Sequence, residues 1–299
     1  MDPRLSSCGD QRIPPWLKTG IPDAYALGPV RSVISQYGVN TICFEAACPN
    51  KRLCFGERAV TFLAAGTRCS RTCRFCNVTK SRPEPLSPTE PERIAGAVRA
   101  IGLDYVIITS VTRDDLSDGA AAHITACVRS VKQLSPAATV EVLAPDFAGK
   151  AEAVLTVVRS GLDVFGHNME TVERLYPSVR RGACYSRSLR VLEAARRGVP
   201  GLILKSGLIL GMGETVAEVE RTLTNLAGVG CDIVAIGQYM RPSVAHLPVR
   251  KYVEPSVFDD LASYAGLLGL VPVCGPNVRS SFRAGAAFHE AKRRRQRCE

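Results

Sequence analysis

From Val60 onward, short apolar runs alternate with longer stretches patterned as helices. The runs Val60–Ala65, Tyr105–Thr109, Thr139–Leu143, Asp163–Gly166, Leu202–Ser206 and Ile233–Gln238 read as strands, and Val271–Cys274 as a weaker seventh. Helical patterns fill the intervals at Pro88–Ile101, Ala120–Leu134, Lys150–Ser160, Ser186–Arg197 and Thr215–Ala227. The first of these carries Ser87 and Glu90 at capping-box spacing, and Gly102 follows its end. Repeated βα units predict an α/β fold with a parallel sheet and right-handed crossovers. The organisation expected is an irregular, proline- and glycine-rich extension over residues 1–58, the repeated units over 59–274, and a C-terminal extension over 275–299. Trp16, the single tryptophan, reads as a packing anchor in the first of these. The charge-free run Leu261 to Val278 is interrupted by Pro272, Gly275 and Pro276, so it reads as a helix end, a strand and a turn rather than a membrane span.

The chemistry is concentrated around the first strand. Six of the twelve cysteines fall into two triplets, Cys43/Cys48/Cys54 before it and Cys69/Cys73/Cys76 after it. Thiolates select iron–sulfur clusters, zinc or Cu(I). Structural zinc wants four ligands, commonly as paired CxxC knuckles, and here only Cys73 and Cys76 form a CxxC, with no histidine between residues 43 and 76. Three cysteines in one loop suit a 4Fe-4S cluster that leaves one iron open, so iron–sulfur is preferred over zinc. A disulfide framework is the remaining alternative, but secreted disulfide-rich chains are short and follow a signal peptide.

The CxxxCxxC spacing of Cys69, Cys73 and Cys76 resembles the signature of the radical S-adenosylmethionine (SAM) superfamily. In that superfamily the open iron binds SAM, whose reductive cleavage gives a 5′-deoxyadenosyl radical; an unactivated C–H has no usable acidity, so such chemistry belongs to a cofactor. The preceding CxxxxCxxxxxC resembles the auxiliary-cluster motif of the lipoyl synthase family. That family completes its auxiliary cluster with a serine from an RSSY-like motif, matched here by Arg279-Ser280-Ser281-Phe282 with Phe in place of Tyr, and Ser281 is the ligand implied. The leader RIPPWLKTGIP and the string Ile236 to Pro255 also resemble the family, so the likeness runs from about Ile13 to Phe282. The resemblance implies a partial (β/α)6 barrel of the radical SAM type.

In such barrels the active site forms on loops following the strands. Thr109 and Ser110 open a segment similar to the family's TSVTRDD, where other superfamily members hold the SAM amino group. Asn168 and Glu170, in a segment similar to HNIET, are the partners implied for ribose hydroxyls, whereas His167 is read as structural. Gly207, Ile209, Gly211 and Glu214 match the GxIxGxxE pattern placed beside adenine, glycine allowing close backbone approach. Arg241 and His246 could contact substrate or form a plain surface loop. Of the other cysteines, Cys127, Cys231 and Cys274 read as small core residues, and Cys8, Cys184 and Cys298 show no ligand spacing.

The resemblance implies sulfur insertion at C6 and C8 of an octanoyl group on a lysine of a lipoyl carrier domain. The cofactors implied are SAM and two 4Fe-4S clusters, the auxiliary one being consumed. Implied partners are octanoylated lipoyl domains of 2-oxoacid dehydrogenase E2 subunits or the glycine cleavage H protein, an electron donor such as ferredoxin or flavodoxin, and an iron–sulfur carrier. A net charge of +10 suits an acidic carrier surface. Part of that charge lies in Lys292-Arg293-Arg294-Arg295-Gln296-Arg297, which reads as a solvated tail. The N-terminus alternates charges and prolines without an apolar targeting core, so a cytoplasmic location is expected. The alternative is a radical SAM tRNA methylthiotransferase, which would account for the charge. It expects different auxiliary-cysteine spacing, an RNA-binding domain for which little chain remains after Phe282, and no RSS motif. A zinc-stapled nucleic-acid module would leave the GxIxGxxE match unexplained.

Overall fold

The structure, a computed structural model, describes residues 12–18, 28–56 and 59–297. Cys8 and Cys298 lie outside the described residues. Seven strands form the main sheet: β1 (Thr61–Ala64), β2 (Tyr105–Ser110), β3 (Thr139–Leu143), β4 (Val164–Gly166), β5 (Ile203–Leu210), β6 (Ile233–Gln238) and β7 (Val271–Cys274). Sheet order follows chain order and every adjacent pair is parallel. β1 and β7 are the two edges, so the barrel is open between them. The expected strands are all present, the weaker seventh included. β5 runs past its expected end to Leu210 because Gly207–Leu210 keeps pairing with β6.

The helices are α1 (Gly28–Tyr37), α2 (Ile42–Glu45), α3 (Lys51–Gly56), α4 (Glu90–Ile101), α5 (Ala121–Leu134), α6 (Ala151–Val158), α7 (Tyr176–Val179), α8 (Tyr185–Gly198), α9 (Val216–Gly228), α10 (Pro255–Leu267) and α11 (Ala284–Gln296). Gly102 ends α4 in the left-handed conformation, as its position predicts. The expected capping box at Ser87 and Glu90 is not formed. Thr89 is the N-cap of α4, and the Glu90 carboxylate turns instead to the Ala65 amide. A capping box does form at Thr215 and Glu218, at the start of α9.

The N-terminal extension is more ordered than its prolines and glycines suggest. α1 buries Val30 and Ile34 against the core. It also packs on α4 so closely that a Cβ on Gly96 would sit 2.3 Å from the Tyr37 ring. Beyond it, Thr41 bridges Phe62 in antiparallel fashion and Leu63 N–H donates to Asn40 O at 2.8 Å, covering the free edge of β1.

The basic C-terminal run is not a solvated tail through residue 297. α11 lays Ala287, Phe288 and Ala291 against Val164, Ile203, Ile233 and Val271, which begin or nearly begin β4 to β7. It therefore plugs the N-terminal end of the barrel. Its arginines are spent locally: Arg293 and Arg294 pair with Glu290, and Arg295 reaches Asp232 at 2.7 Å. Above this plug a buried Lys205–Glu141 pair at 2.8 Å, with Tyr105 O–H donating to Glu141 at 2.6 Å, fills the lower interior. No helix of the described residues is long and apolar enough to cross a membrane, and the charge-free run resolves into the end of α10, β7 and a turn.

Candidate active site

The loop leaving β1 turns through Ala65 (φ 64°) and Gly66 (φ 90°). A left-handed alanine is strained by roughly 1–2 kcal/mol and persists only where its surroundings hold it. Two buried charged groups do so: Ala65 N–H donates to Glu90 Oε2 at 2.8 Å, and Ala65 O accepts from Arg113 Nη1 at 3.1 Å. Beyond the turn Cys69 lies in a short parallel ladder between Arg68–Cys69 and Thr79–Lys80, so both ends of the cysteine loop are tied together.

Inside that loop the buried Arg71 side chain reaches Asp114 at 2.8 Å and Asp146 at 2.6 Å, joining the loops after β1, β2 and β3. Burial alone would raise the Asp146 carboxyl, but Arg71 outweighs it and holds the group at about 2. On the other side Arg74 N–H donates to Val179 O at 2.9 Å. His246 Nε2 lies 3.1 Å from Cys76 O. A carbonyl can only accept, so Nε2 carries the hydrogen and Nδ1 accepts from Ser243 Oγ at 2.8 Å. The 240–250 loop is thus a clamp on the cysteine loop as well as part of the rim.

Of the upstream triplet, Cys43 lies in α2, Cys54 in α3 and Cys48 in the turn between them. Cys48 N–H donates to Cys43 O at 3.2 Å, and Asn77 Nδ2 donates to Glu45 O at 3.0 Å, which ties the two cysteine loops to each other. Asn50 Nδ2 donates to Asn277 O at 2.7 Å, bringing in the segment that follows β7. That segment runs across the open side of the barrel. There Thr61 Oγ1 donates to Ser281 Oγ at 2.9 Å and Ser280 Oγ to Asn168 Oδ1 at 3.2 Å.

All six cysteines of the triplets, together with Ser281, line one cavity of about 560 Å³. Thr109, Ser110, Asn168, Glu170, Gly207 and Ile209 line it too. Gly211 and Glu214 do not. The Glu214 carboxylate accepts from the Gly211 amide and, at 3.0 Å, from the Met212 amide, holding a turn outside the cavity. Glu214, the motif's carboxylate, is here committed to backbone amides. Thr109 donates its hydroxyl to Leu143 O at 3.0 Å, whereas Ser110 Oγ is buried with no partner.

His167 behaves as a structural residue. It lies between Ala144 O (2.9 Å from Nδ1) and Ser188 Oγ (3.0 Å from Nε2), and burial pushes it down to about 4. Asn168 Nδ2 donates to Glu170 Oε1 at 3.0 Å. Glu170 is left-handed (φ 64°), pinned by Glu170 N–H to Gly207 O and by Ile209 N–H to Glu170 O, each 2.9 Å. Burial raises the Glu170 carboxyl, against the opposing pull of Arg180.

Sequence reasoning did not single out Arg71, Thr61 or Arg180. Arg71 sits inside the CxxxC spacer and could have been suspected there; Arg180 and Thr61 carry no local signal. Arg180 lines the cavity, donates through Nη1 to Asn168 O at 2.8 Å and Tyr176 Oη at 3.0 Å, and keeps a buried Nε without a partner.

The donor set fits iron–sulfur clusters and SAM. Six thiols and the Ser281 hydroxyl line one space that also holds orphaned Ser110 Oγ and Arg180 Nε. Burial pushes the Cys43 and Cys76 thiols up to about 11 and raises Cys73, so the metal-free protein keeps them protonated and cluster loading releases protons. Elsewhere among the described residues Glu90, His123 and Cys127 place ligand atoms within 4.8 Å of one another. There His123 Nε2 is 2.6 Å from the same Glu90 oxygen that holds Ala65, so Glu90 and His123 form a hydrogen-bonded turn clamp beside Cys127. Cys127 and Cys231 are buried core residues, as expected, and Cys274 packs at the core's edge.

Residues 64–226 match the Radical SAM superfamily. Among solved structures the fold is similar to methylornithine synthase (TM-score 0.54, 15% identity, covering 70% of this chain and 62% of that one). It is also similar to the hydrogenase maturase HydG (TM-score 0.52, 13% identity, 89% and 74%). The fold and the cavity with its two cysteine triplets define a radical SAM enzyme that uses SAM and 4Fe-4S clusters. The lipoyl synthase of Methylococcus capsulatus is 47% identical over 275 residues, covering 91% of this chain and 85% of that protein. That of Methanocella arvoryzae is 47% identical over 278 residues, 92% and 94%. The mitochondrial lipoyl synthase of Yarrowia lipolytica is 47% identical over 299 residues, 97% and 85%. The chain belongs to the lipoyl synthase family. This does not favour the tRNA methylthiotransferase alternative.

Proposed function

We propose that this enzyme inserts sulfur at C6 and C8 of an octanoyl group carried on a lysine of a lipoyl carrier protein. In this reading Cys69, Cys73 and Cys76 hold the cluster that binds SAM, and Cys43, Cys48, Cys54 and Ser281 hold the cluster that gives up sulfur. The observation that carries it is the single cavity lined by both triplets and Ser281, since hydrogen removal and sulfur capture must occur at the same carbon. When bound, SAM and the clusters supply an electron, a hydrogen-abstracting radical and sulfur, which no side chain can supply to an unactivated C–H.

The protein's part is to hold and shield. Ser110 offers its unpartnered hydroxyl, and Arg180 a buried cation beside Cys73 and Glu170, to the polar end of SAM. Asn168 and Glu170 face the same space with a hydrogen-bonded amide and carboxylate suited to ribose hydroxyls. Residues 1–58 serve as the carrier of the sulfur-donating cluster, 59–274 as the catalytic barrel and 275–299 as the strap that brings Ser281 and closes the barrel. The carrier is an octanoylated lipoyl domain of an E2 subunit or an H protein, drawn to the net charge of +10. A ferredoxin or flavodoxin supplies electrons and an iron–sulfur carrier rebuilds the donor cluster, in the cytoplasm.

Ser281→Ala is expected to keep SAM cleavage and lose lipoyl formation, measured by mass spectrometry of an octanoylated carrier and of 5′-deoxyadenosine in the same reaction. Normal lipoyl formation by that variant would overturn the role given to Ser281.

A further inference from the structure

We propose that Thr61 is a positioning residue for Ser281, donating its hydroxyl hydrogen bond to the serine oxygen while that oxygen is a cluster ligand. The inference rests on the reading of Ser281 as a ligand and extends it to a residue with no metal-binding side chain of its own.

Thr61 is the first residue of β1, is 3% exposed, and is fixed in register opposite Ile107. Its hydroxyl lies 2.9 Å from Ser281 Oγ, across the open side of the barrel where β1 and β7 fail to meet. Thr61 and Cys43 line the same cavity as Ser281. One rigid strand residue thereby holds a serine 220 positions away in the chain.

Ser281 must lose its hydroxyl proton to bind iron, as ligands in general are deprotonated. Its oxygen then carries negative charge in a half-buried place. An O–H donor to a charged oxygen is about twice as strong as one between neutral groups. Groups that hydrogen-bond a metal's ligands also fix their orientation and tune metal affinity by roughly 10- to 100-fold. Thr61 stabilises the bound serine oxygen in this way and lowers its basicity. It thus supports a ligand that has to be held before turnover and let go during it.

The test uses anaerobically reconstituted enzyme challenged with an iron chelator, with iron release followed by absorbance and total iron and sulfide counted. Thr61→Val keeps the β-branched shape and removes only the donor; Thr61→Ala removes the same donor with less bulk. Both are expected to release one of the two clusters roughly tenfold faster, the effect of losing one bond to a charged acceptor. The other cluster should leave at the parent rate, which also reports that the variant is folded. Thr61→Ser should restore the slow release. In parallel, Ser281→Ala is expected to speed release of the same cluster, and the double variant to be no faster than Ser281→Ala alone. Unchanged release in Ser281→Ala would remove the ligand reading itself. Faster release in Ser281→Ala with parent-like release in both Thr61 variants would remove the role of Thr61 and leave the ligand standing.

Discussion

Arg71→Met is expected to strip the loop holding Cys69, Cys73 and Cys76 of its cluster while the Cys43/Cys48/Cys54 cluster stays. Reconstituted protein should then retain about four iron in place of about eight, counting one cubane in place of two. The Arg71 side chain joins the loops after β1, β2 and β3 at once, through Asp114 and the fully buried Asp146. Methionine keeps the packing of the stem and removes the charge, so Asp146 is left buried with Arg187 at 3.3 Å as its remaining cation. Removing one partner of a buried ion pair costs about 3–5 kcal/mol. The pH dependence gives the sign. Asp146 is held at about 2, below the ~3.9 of an unfolded aspartate, so the pair's contribution is fully present above about pH 4 and is lost as pH falls toward 2. The difference in urea midpoint between parent and variant should therefore be constant from pH 8 to about 5 and shrink in stronger acid. Equal midpoints at pH 7, with full iron content, would contradict this account.

Gly237→Ala should be nearly as damaging, at the other cluster. Gly237 lies in β6, and a Cβ there would meet the backbone oxygen of Val278 at 1.9 Å. Backbone cannot swing aside as a side-chain tip can, so the 275–282 segment has to move. Gln238 N–H to Pro276 O (3.2 Å) and Asn50 Nδ2 to Asn277 O (2.7 Å) fix that segment immediately before the clash. The expected result is loss of lipoyl formation with SAM cleavage retained, because Ser281 is carried off while the Cys69–Cys76 loop is untouched. Overpacking of this kind costs about 1–3 kcal/mol and occasionally more, so folded protein should still be recovered. Parent-like lipoyl formation by Gly237→Ala would mean that the segment's position is immaterial.

Much of this was legible in the chain. The strands announce themselves as apolar runs because a parallel sheet covered on both faces leaves no polar alternation. The spacing of the two cysteine triplets pointed to iron–sulfur chemistry, and the family resemblance implied two separate clusters. What the sequence hid is mostly what several distant segments share. Nothing local to Thr61 points to Ser281, and nothing local to Arg180 points to Asn168. Glu214 matched a motif, yet its carboxylate is spent on two backbone amides. Glu90 had capping-box spacing, yet the left-handed turn at Ala65 claims it. In the last helix the density of arginine masked the stripe Ala284, Ala287, Phe288, Ala291, whose i, i+3, i+4, i+7 spacing is the helical signal. α1 was passed over in the same way, its Val30 and Ile34 set among glycine and proline.

The central claim is that two clusters share one cavity, and iron and sulfide analysis of anaerobically reconstituted protein tests it most directly. The parent is compared with a variant in which Cys43, Cys48 and Cys54 are all alanine. About eight iron and eight sulfide in the parent, falling to about four of each in the variant with SAM cleavage intact, is the predicted result. A parent with one zinc and no sulfide, or a variant with as much iron as the parent, would contradict it.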